Sequence, residues 1–211
     1  MTTQHHTPNV RRTSKRLSWL LRHGAGESGL KMTEAGWASL DDVRAALRCS
    51  RETIQAAVEH NNKSRFQVRD GLIRASQGHS REGMPVTREA LEASWTRYVG
   101  DGLVWHGTHV DAVEGIARDG IHSGGRTHVH LAAALDSRVG KRANVHVMLG
   151  ADPASMRARG VELFESPNGV VLARRVPAEC LVSLRAMTRR AREEEARLRA
   201  LLGLREERPR S

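Results

Sequence analysis

Aromatic residues are scarce in this chain of 211: 2 Phe, 4 Trp and 1 Tyr. A core must therefore rest mostly on Leu, Val, Ile and Ala, and a hydrophobic content of 39% is enough to build one without staples. Cysteine is nearly absent too. Cys49 and Cys180 form no CxxC and stand far apart, so they read as buried thiols rather than a disulfide or a metal pair. No apolar run approaches the roughly 18 residues of a membrane span. The opening MTTQHHTPNVRRTSKRL holds no apolar stretch of signal-peptide length. These absences predict a soluble, cytoplasmic protein with no membrane partner. They also exclude a fibre or a chain disordered throughout.

What is present is positive charge. Thirty-four Lys and Arg against 24 Asp and Glu give +10 with histidine neutral. Such a surplus suits a polyanionic partner, because cations on phosphates release counterions. A generally basic, arginine-favouring proteome would give the same number, and both readings stand. The last stretch, residues 188–211, carries 8 Arg and 5 Glu, only +3 of the total. It reads as a solvated helix held by i,i+4 pairs, with an RNA-binding arm as the other reading.

The chain has no internal repeat, and its elements follow one another in two styles. Thr13 or Ser14 is placed to cap a helix carrying Leu17, Leu20 and Leu21, which ends at Leu21-Arg22-His23 before GAGESGL. Ser39 and Asp42 form a capping-box-like pair ahead of a second helix, and Ser50 caps a third. Phe66–Arg69 and Leu72–Ala75 flank Asp70-Gly71, a strong hairpin signal. Three helices and a hairpin follow the element order of a winged helix. After residue 100 short strands alternate with small helices: 103–105, 129–131, 145–149, 170–172 and 180–184 as strands, 111–118 and a turn from Pro153 as helices. The expectation is an α+β fold divided into a lead (1–12), a winged-helix-like lobe (13–80), a linker with a short helix (81–100), a second lobe (101–187) and the tail (188–211).

Several clusters could carry chemistry. Arg22-His23 sits at a helix end, where a basic pair can also simply complement the helix dipole. Arg74-Ala75-Ser76-Gln77-Gly78-His79-Ser80 offers many donors without a carboxylate, which suits a phosphate; a polar wing explains it as well. His106-Gly107-Thr108 directly follows a strand, where a glycine lets backbone approach a ligand. His128-Val129-His130 places two imidazoles on one strand face. No cysteine or carboxylate stands in a ligand-like register beside them, and Arg126 and Arg142 disfavour a bare cation, so no metal is expected. Asn168-Gly169 is by itself a turn entering a strand.

In order, SKRLSWLLRH, GWASLDDV, RFQVRDGLIRASQGHS, VWHGT, RTHVHLA, VGKR and SPNGVVLARRVP strongly resemble the RNA 2′-phosphotransferase family of the KptA type, over about residues 13–185. The resemblance implies a winged-helix-like lobe followed by a lobe related to ADP-ribosyltransferases. It implies NAD⁺ as consumed co-substrate, RNA with an internal, tRNA-like 2′-phosphate as partner, and a monomer. In the implied reaction the 2′-phosphate attacks C1″ of the nicotinamide ribose and nicotinamide leaves. The 2″-hydroxyl then attacks phosphorus, giving 2′-OH RNA and ADP-ribose 1″,2″-cyclic phosphate. The nucleophile is already an anion, so cations rather than a strong base are wanted.

Carried over by position, Arg22, His23, Arg74 and Arg142 match the family's catalytic set. The resemblance implies Arg74 and Arg142 as the phosphate clamp, Arg22 as its support and His23 as a general acid toward the departing RNA oxygen. His106, Gly107, Thr108, His128, His130, Asn168 and Gly169 match the NAD⁺ pocket. Arg126 matches a basic position beside HVHL and is expected as a secondary phosphate or NAD⁺ contact, and Gln77 and His79 are expected to orient Arg74 or meet RNA. The chain departs from the family at Ala143-Asn144 (usually His-Gly), Val171 (usually Trp) and Ala132 (often Ser). Two other functions remain: a nucleic-acid-binding regulator with a silent second lobe, and an ADP-ribosyltransferase of nucleic-acid phosphate ends. A protein target is disfavoured, since the 168–170 region has no acid.

Overall fold

A computed structural model describes residues 7–61, 63–137, 139, 140 and 144–204. Two units emerge, one of Met1–Thr96, Gly125–Thr127 and Ser166–Asn168, the other of Arg97–Gly124, His128–Glu165 and Gly169–Ser211.

In the first unit, helix α1 (Thr7–Trp19) begins well before the caps expected at Thr13 and Ser14. Pro8 permits this, because a first-turn residue needs no intrahelical N–H partner. Thr13 is instead buried inside the helix. The helix then widens into a π-helical turn, Leu20–Gly24, that carries Arg22 and His23. A two-residue strand β1 (Ala38–Ser39) leads into α2 (Leu40–Leu47), whose cap is Ser39: its Oγ accepts from the N–H groups of Asp41 and Asp42. Ser50 does the same for α3 (Arg51–Glu59), accepting from Thr53 N–H at 3.3 Å. Strands β2 (Phe66–Arg69) and β3 (Leu72–Ala75) form the expected hairpin, with β1 on the far side of β3. Asp70 and Gly71 both have positive φ, 48° and 73°, as a type I′ turn requires. Leu17, Leu21, Val43, Ile54 and Ile73 interlock as the core.

Of the stretch expected as a linker, residues 81–96 fall within this unit and 97–100 within the second. Thr87 Oγ1 caps α4 (Arg88–Ala93), Leu91 and Trp95 are buried, and Trp95 Nε1–H donates to Ser76 O.

The second unit is organised by a seven-stranded sheet in the order β12-β8-β5-β7-β10-β9-β4. Its strands are β4 (Thr96–Arg97), β5 (Val104–Thr108), β7 (Val129–Ala132), β8 (Val147–Ala151), β9 (Phe164–Glu165), β10 (Val170–Ala173) and β12 (Leu181–Ala186). A separate pair joins β6 (Ile121–His122) to β11 (Arg175–Val176). Helix α5 (Val113–Asp119) follows a 3₁₀ turn, and Asp152 caps α6 (Pro153–Ala158) through both carboxylate oxygens. Strands β8 and β10 are buried along their whole length, which explains their continuous apolar runs. Two expectations shift here. Strand β5 runs on through His106-Gly107-Thr108, and β8 starts at Val147 rather than Val145.

The described part of the tail forms α7 (Arg189–Glu193) and α8 (Glu195–Leu201). Its i,i+4 pairs are present, Arg189 with Glu193 and Arg190 with Glu194. The helices are nevertheless docked, not solvated all round. Ala191 and Leu198 are fully buried, and Arg199 Nη2 donates to Leu184 O at 3.1 Å. Among the described residues no helix is long and apolar enough to cross a membrane.

Leu131, fully buried on the central strand β7, tests this core. Leu131→Ala is expected to cost about 2–5 kcal/mol, seen as a lower urea midpoint at an unchanged slope.

Candidate active site

The π-helical turn gives the first unit its most unusual feature. Arg22 projects from that turn and is largely buried, and its Nε and Nη2 have no hydrogen-bond partner among the described residues. Burial above all, then the charges of Arg65 and Arg126, push its pKa down to about 10. An arginine is almost never weakened in this way unless its charge is desolvated and faces like charges. His23, next along the turn, is held at Nδ1 by Ser80 Oγ at 2.8 Å. Ser80 is itself fixed twice: its N–H donates to Arg22 O, and it bridges to Arg126. Burial, then Arg126 and Arg22, lower the His23 pKa below 6.5 and favour neutral imidazole.

Arg65 was not among the residues singled out in the sequence, and the tertiary structure brings it in. Its segment is pinned from several directions. Asn168 Nδ2 donates to Lys63 O (3.0 Å), Ser76 Oγ to Ser64 O (2.9 Å), Ser76 N–H to Arg65 O (2.8 Å), and Arg65 Nη1 to Asn61 Oδ1 (3.2 Å). Ser64 is held at a φ of 45°, a left-handed conformation rare for serine. The only sequence signal for this was Arg65-Phe66 heading the hairpin, and a lone surface arginine gives no reason to choose it.

Arg74, expected to clamp the phosphate, is committed elsewhere. It is 4% exposed. Its Nε donates to Gln67 Oε1 at 2.7 Å, and its Nη1 to Ser94 Oγ at 2.8 Å and Ala35 O at 3.1 Å. The guanidinium also lies over Trp37, 4.6 Å from the ring centroid. The cation whose field acts on it is Arg69, not Arg22. A guanidinium so engaged ties β3 to β2, to the Ala35 carbonyl and to the Ser94 hydroxyl. His79 is completely buried against Gly36 and offers no surface to RNA. Gln77 is half-buried on the same segment. Asn168 belongs to the first unit and spends its amide on Lys63 and Ser166. Arg142 lies outside the described residues, as does Ala143; Asn144 takes a φ of 58° at the position where glycine was expected, a conformation asparagine tolerates well.

In the second unit, His106, Gly107 and Thr108 lie on β5 and His130 on the adjacent β7, with His128 immediately before it. His106 Nδ1–H donates to His130 O at 3.2 Å, which fixes its tautomer. His128 is fully buried, whereas His106 and His130 are half-buried. His146 Nδ1 is buried without a partner among the described residues and its ring meets His109 edge-on at 4.6 Å. Gly107 is required for a reason other than ligand approach: a Cβ there would lie 2.5 Å from Val145 Cγ1. Gly169, at a φ of 76°, opens β10, and Val171, where the family has an aromatic, is fully buried in the core. The described residues contain no cluster of His, Cys, Asp or Glu able to hold a metal.

The family model described as RNA 2′-phosphotransferase, Tpt1 / KptA family, matches residues 8–175. The chain belongs to this family. Among curated relatives, a "Probable RNA 2′-phosphotransferase" of Rhizobium johnstonii is 34% identical over 175 residues, covering 80% of this chain and 91% of the relative. One of the same name from Burkholderia lata is 35% identical over 183 residues, 82% and 91% of the two chains. Another, from Aeropyrum pernix, is 33% identical over 183 residues, 82% and 80%. The family match takes in both units, from α1 to the first residue of β11.

Because the fold favours neutral His23 while the unfolded chain titrates near 6.5, protons bind the unfolded state preferentially below that pH. His23 therefore makes stability fall as pH drops below 6.5, a slope that His23→Gln should remove. An anion beside Arg22 reverses the bias. The His23 titration followed by NMR is expected below 6.5 in the free protein and shifted upward by inorganic phosphate. An unmoved midpoint at saturating phosphate would remove the anion site.

Proposed function

We propose that this chain is an NAD-dependent transferase that removes an internal 2′-phosphate from RNA. The observation that carries the proposal is the arginine set of the first unit. Arg65 and Arg126 face Arg22 without neutralising it, and its Nε and Nη2 lack partners among the described residues. A buried cation left unsatisfied is costly, and a phosphate dianion is the ligand that would satisfy it bidentately. Family membership supplies the substrate class, and the relatives' names point to the same reaction.

In this reading the first unit is a winged-helix-like RNA lobe and the second an ADP-ribosyltransferase-like lobe. His106, Thr108 and His130 are the NAD⁺ contacts, with His128 and Gly169 shaping the pocket. The Nδ1 of His146, without a partner among the described residues, fits a hydrogen-bonding organic ligand. NAD⁺ supplies an electrophilic ribose carbon and a good leaving group, nicotinamide. Arg22, Arg65 and Arg126 hold the 2′-phosphate, and Arg65 takes the clamp role first expected of Arg74; Arg142 remains the proposed fourth cation. The attacking phosphate oxygen needs no base. When phosphorus passes from the RNA 2′-oxygen to the ribose 2″-oxygen, these cations stabilise the charge on the transferring group. His23, its pKa raised by the bound phosphate and its ring held by Ser80, gives a proton to the departing RNA oxygen.

The test is an RNA with one radiolabelled internal 2′-phosphate, with and without NAD⁺. Label is expected in ADP-ribose cyclic phosphate only when NAD⁺ is present; label left on RNA that the protein still binds would favour a regulator. Arg65→Ala and Arg22→Ala should each lose about 10²–10³-fold in kcat/KM with the thermal transition preserved. Arg74→Ala should instead lower stability by about 1–3 kcal/mol, because it strands buried acceptors. An Arg65→Ala enzyme of native rate would end the clamp assignment.

A further inference from the structure

A cleft of about 840 Å³ in the first unit runs between α1 and α3 and reaches His23. Arg11, Lys15, Trp19, Asn61 and Arg65 are among its walls, and no carboxylate lines it among the described residues. The bound phosphate of the proposed reaction occupies only the end at His23 and Arg65, so most of this basic surface is unexplained by it.

Trp19 is the distinctive wall. It is 46% exposed, although it stands between the fully buried Leu17 and the nearly buried Leu20. Its ring lies against Gly24, where a Cβ would be 2.4 Å from Trp19 Cη2 and Cζ3. The two residues are five apart, the spacing that a π-helical turn brings into line. The turn that aims Arg22 and His23 thus also seats an indole on bare backbone while leaving it half in solvent. Asn61 adds a directed donor. Its Oδ1 accepts from Lys63 N–H and Arg65 Nη1, while its buried Nδ2 has no partner among the described residues.

From this geometry we infer that the cleft is a nucleotide subsite for the residue adjoining the 2′-phosphorylated one in single-stranded RNA. The adjoining base stacks on Trp19, Asn61 Nδ2 donates to a ribose or phosphate oxygen, and Lys15 and Arg11 follow the backbone. A cationic groove with an aromatic face is how single strands are held without sequence preference. Duplex RNA keeps its bases stacked on one another and has none to offer the indole. The inference rests on the reading above only for the position of the 2′-phosphate.

The experiment compares two 2′-phosphorylated RNA hexamers, one complete and one with abasic residues flanking the phosphate, by fluorescence anisotropy and by KM. The native protein is expected to favour the complete RNA about tenfold. Trp19→Phe should keep most of that preference, and Trp19→Ala should abolish it, binding both RNAs within about twofold. Lys15→Gln should lower the salt slope of binding by about one. A Trp19→Ala protein that still discriminates as the native one does overturns the subsite, and so does a duplex competing as well as the single strand. Because anisotropy needs no turnover, the expected binding pattern without phosphate transfer would overturn the proposed reaction and leave the subsite standing.

Discussion

The first unit turns on one electrostatic conflict. Arg22 is placed in a largely buried position beside Arg65 and Arg126, with two of its nitrogens unpartnered among the described residues. Arginine is the cation that resists deprotonation best, yet burial and two like charges lower Arg22 to about 10. Such an arrangement lowers the stability of the empty protein and raises its affinity for an anion by the same physics. Burial, then the charges of Arg126 and Arg22, lower the His23 pKa as well.

The rest of the unit can be read as the scaffold that maintains this conflict. The π-helical turn directs two successive side chains, and Ser80 ties the imidazole to the Arg22 backbone. Asn168 and Ser76 hold the 63–65 segment so that Arg65 cannot retreat into solvent. Arg74 contributes from further out, as a buried tie stacked on Trp37 that fixes the hairpin. Elsewhere the chain's many arginines make exposed pairs such as Arg118 with Asp119 and Arg189 with Glu193, which contribute little. The net charge of +10 is therefore a poor guide to function; the location of three arginines is a better one.

The second unit solves a simpler problem. With few aromatics, its sheet is buried by Val, Leu and Ala, and the long continuous runs of β8 and β10 follow from cover on both faces. Close packing sets the glycines at 107 and 150, which lie under Val145 and Trp105. Imidazoles gather along β5, at and just before β7, and at His146.

Local chemistry was legible in the sequence wherever a residue acts on its own neighbours. Ser39 and Ser50 cap their helices, Asp70-Gly71 makes its turn, and Arg22-His23 sits where the first helix ends, because these depend on backbone groups within four residues. The motif order also carried the family. Contacts between distant segments decided the rest. Arg74 and Arg65 are nine positions apart and chemically identical, yet β3 turns one onto Trp37 and Gln67 while Asn168 and Ser76 hold the other beside Arg22. The sequence determined that arginines and histidines would populate the candidate site. Only tertiary packing decided which guanidinium is fully engaged inside the fold and which is set among other cations, since that depends on the acceptors within about 3 Å of each nitrogen.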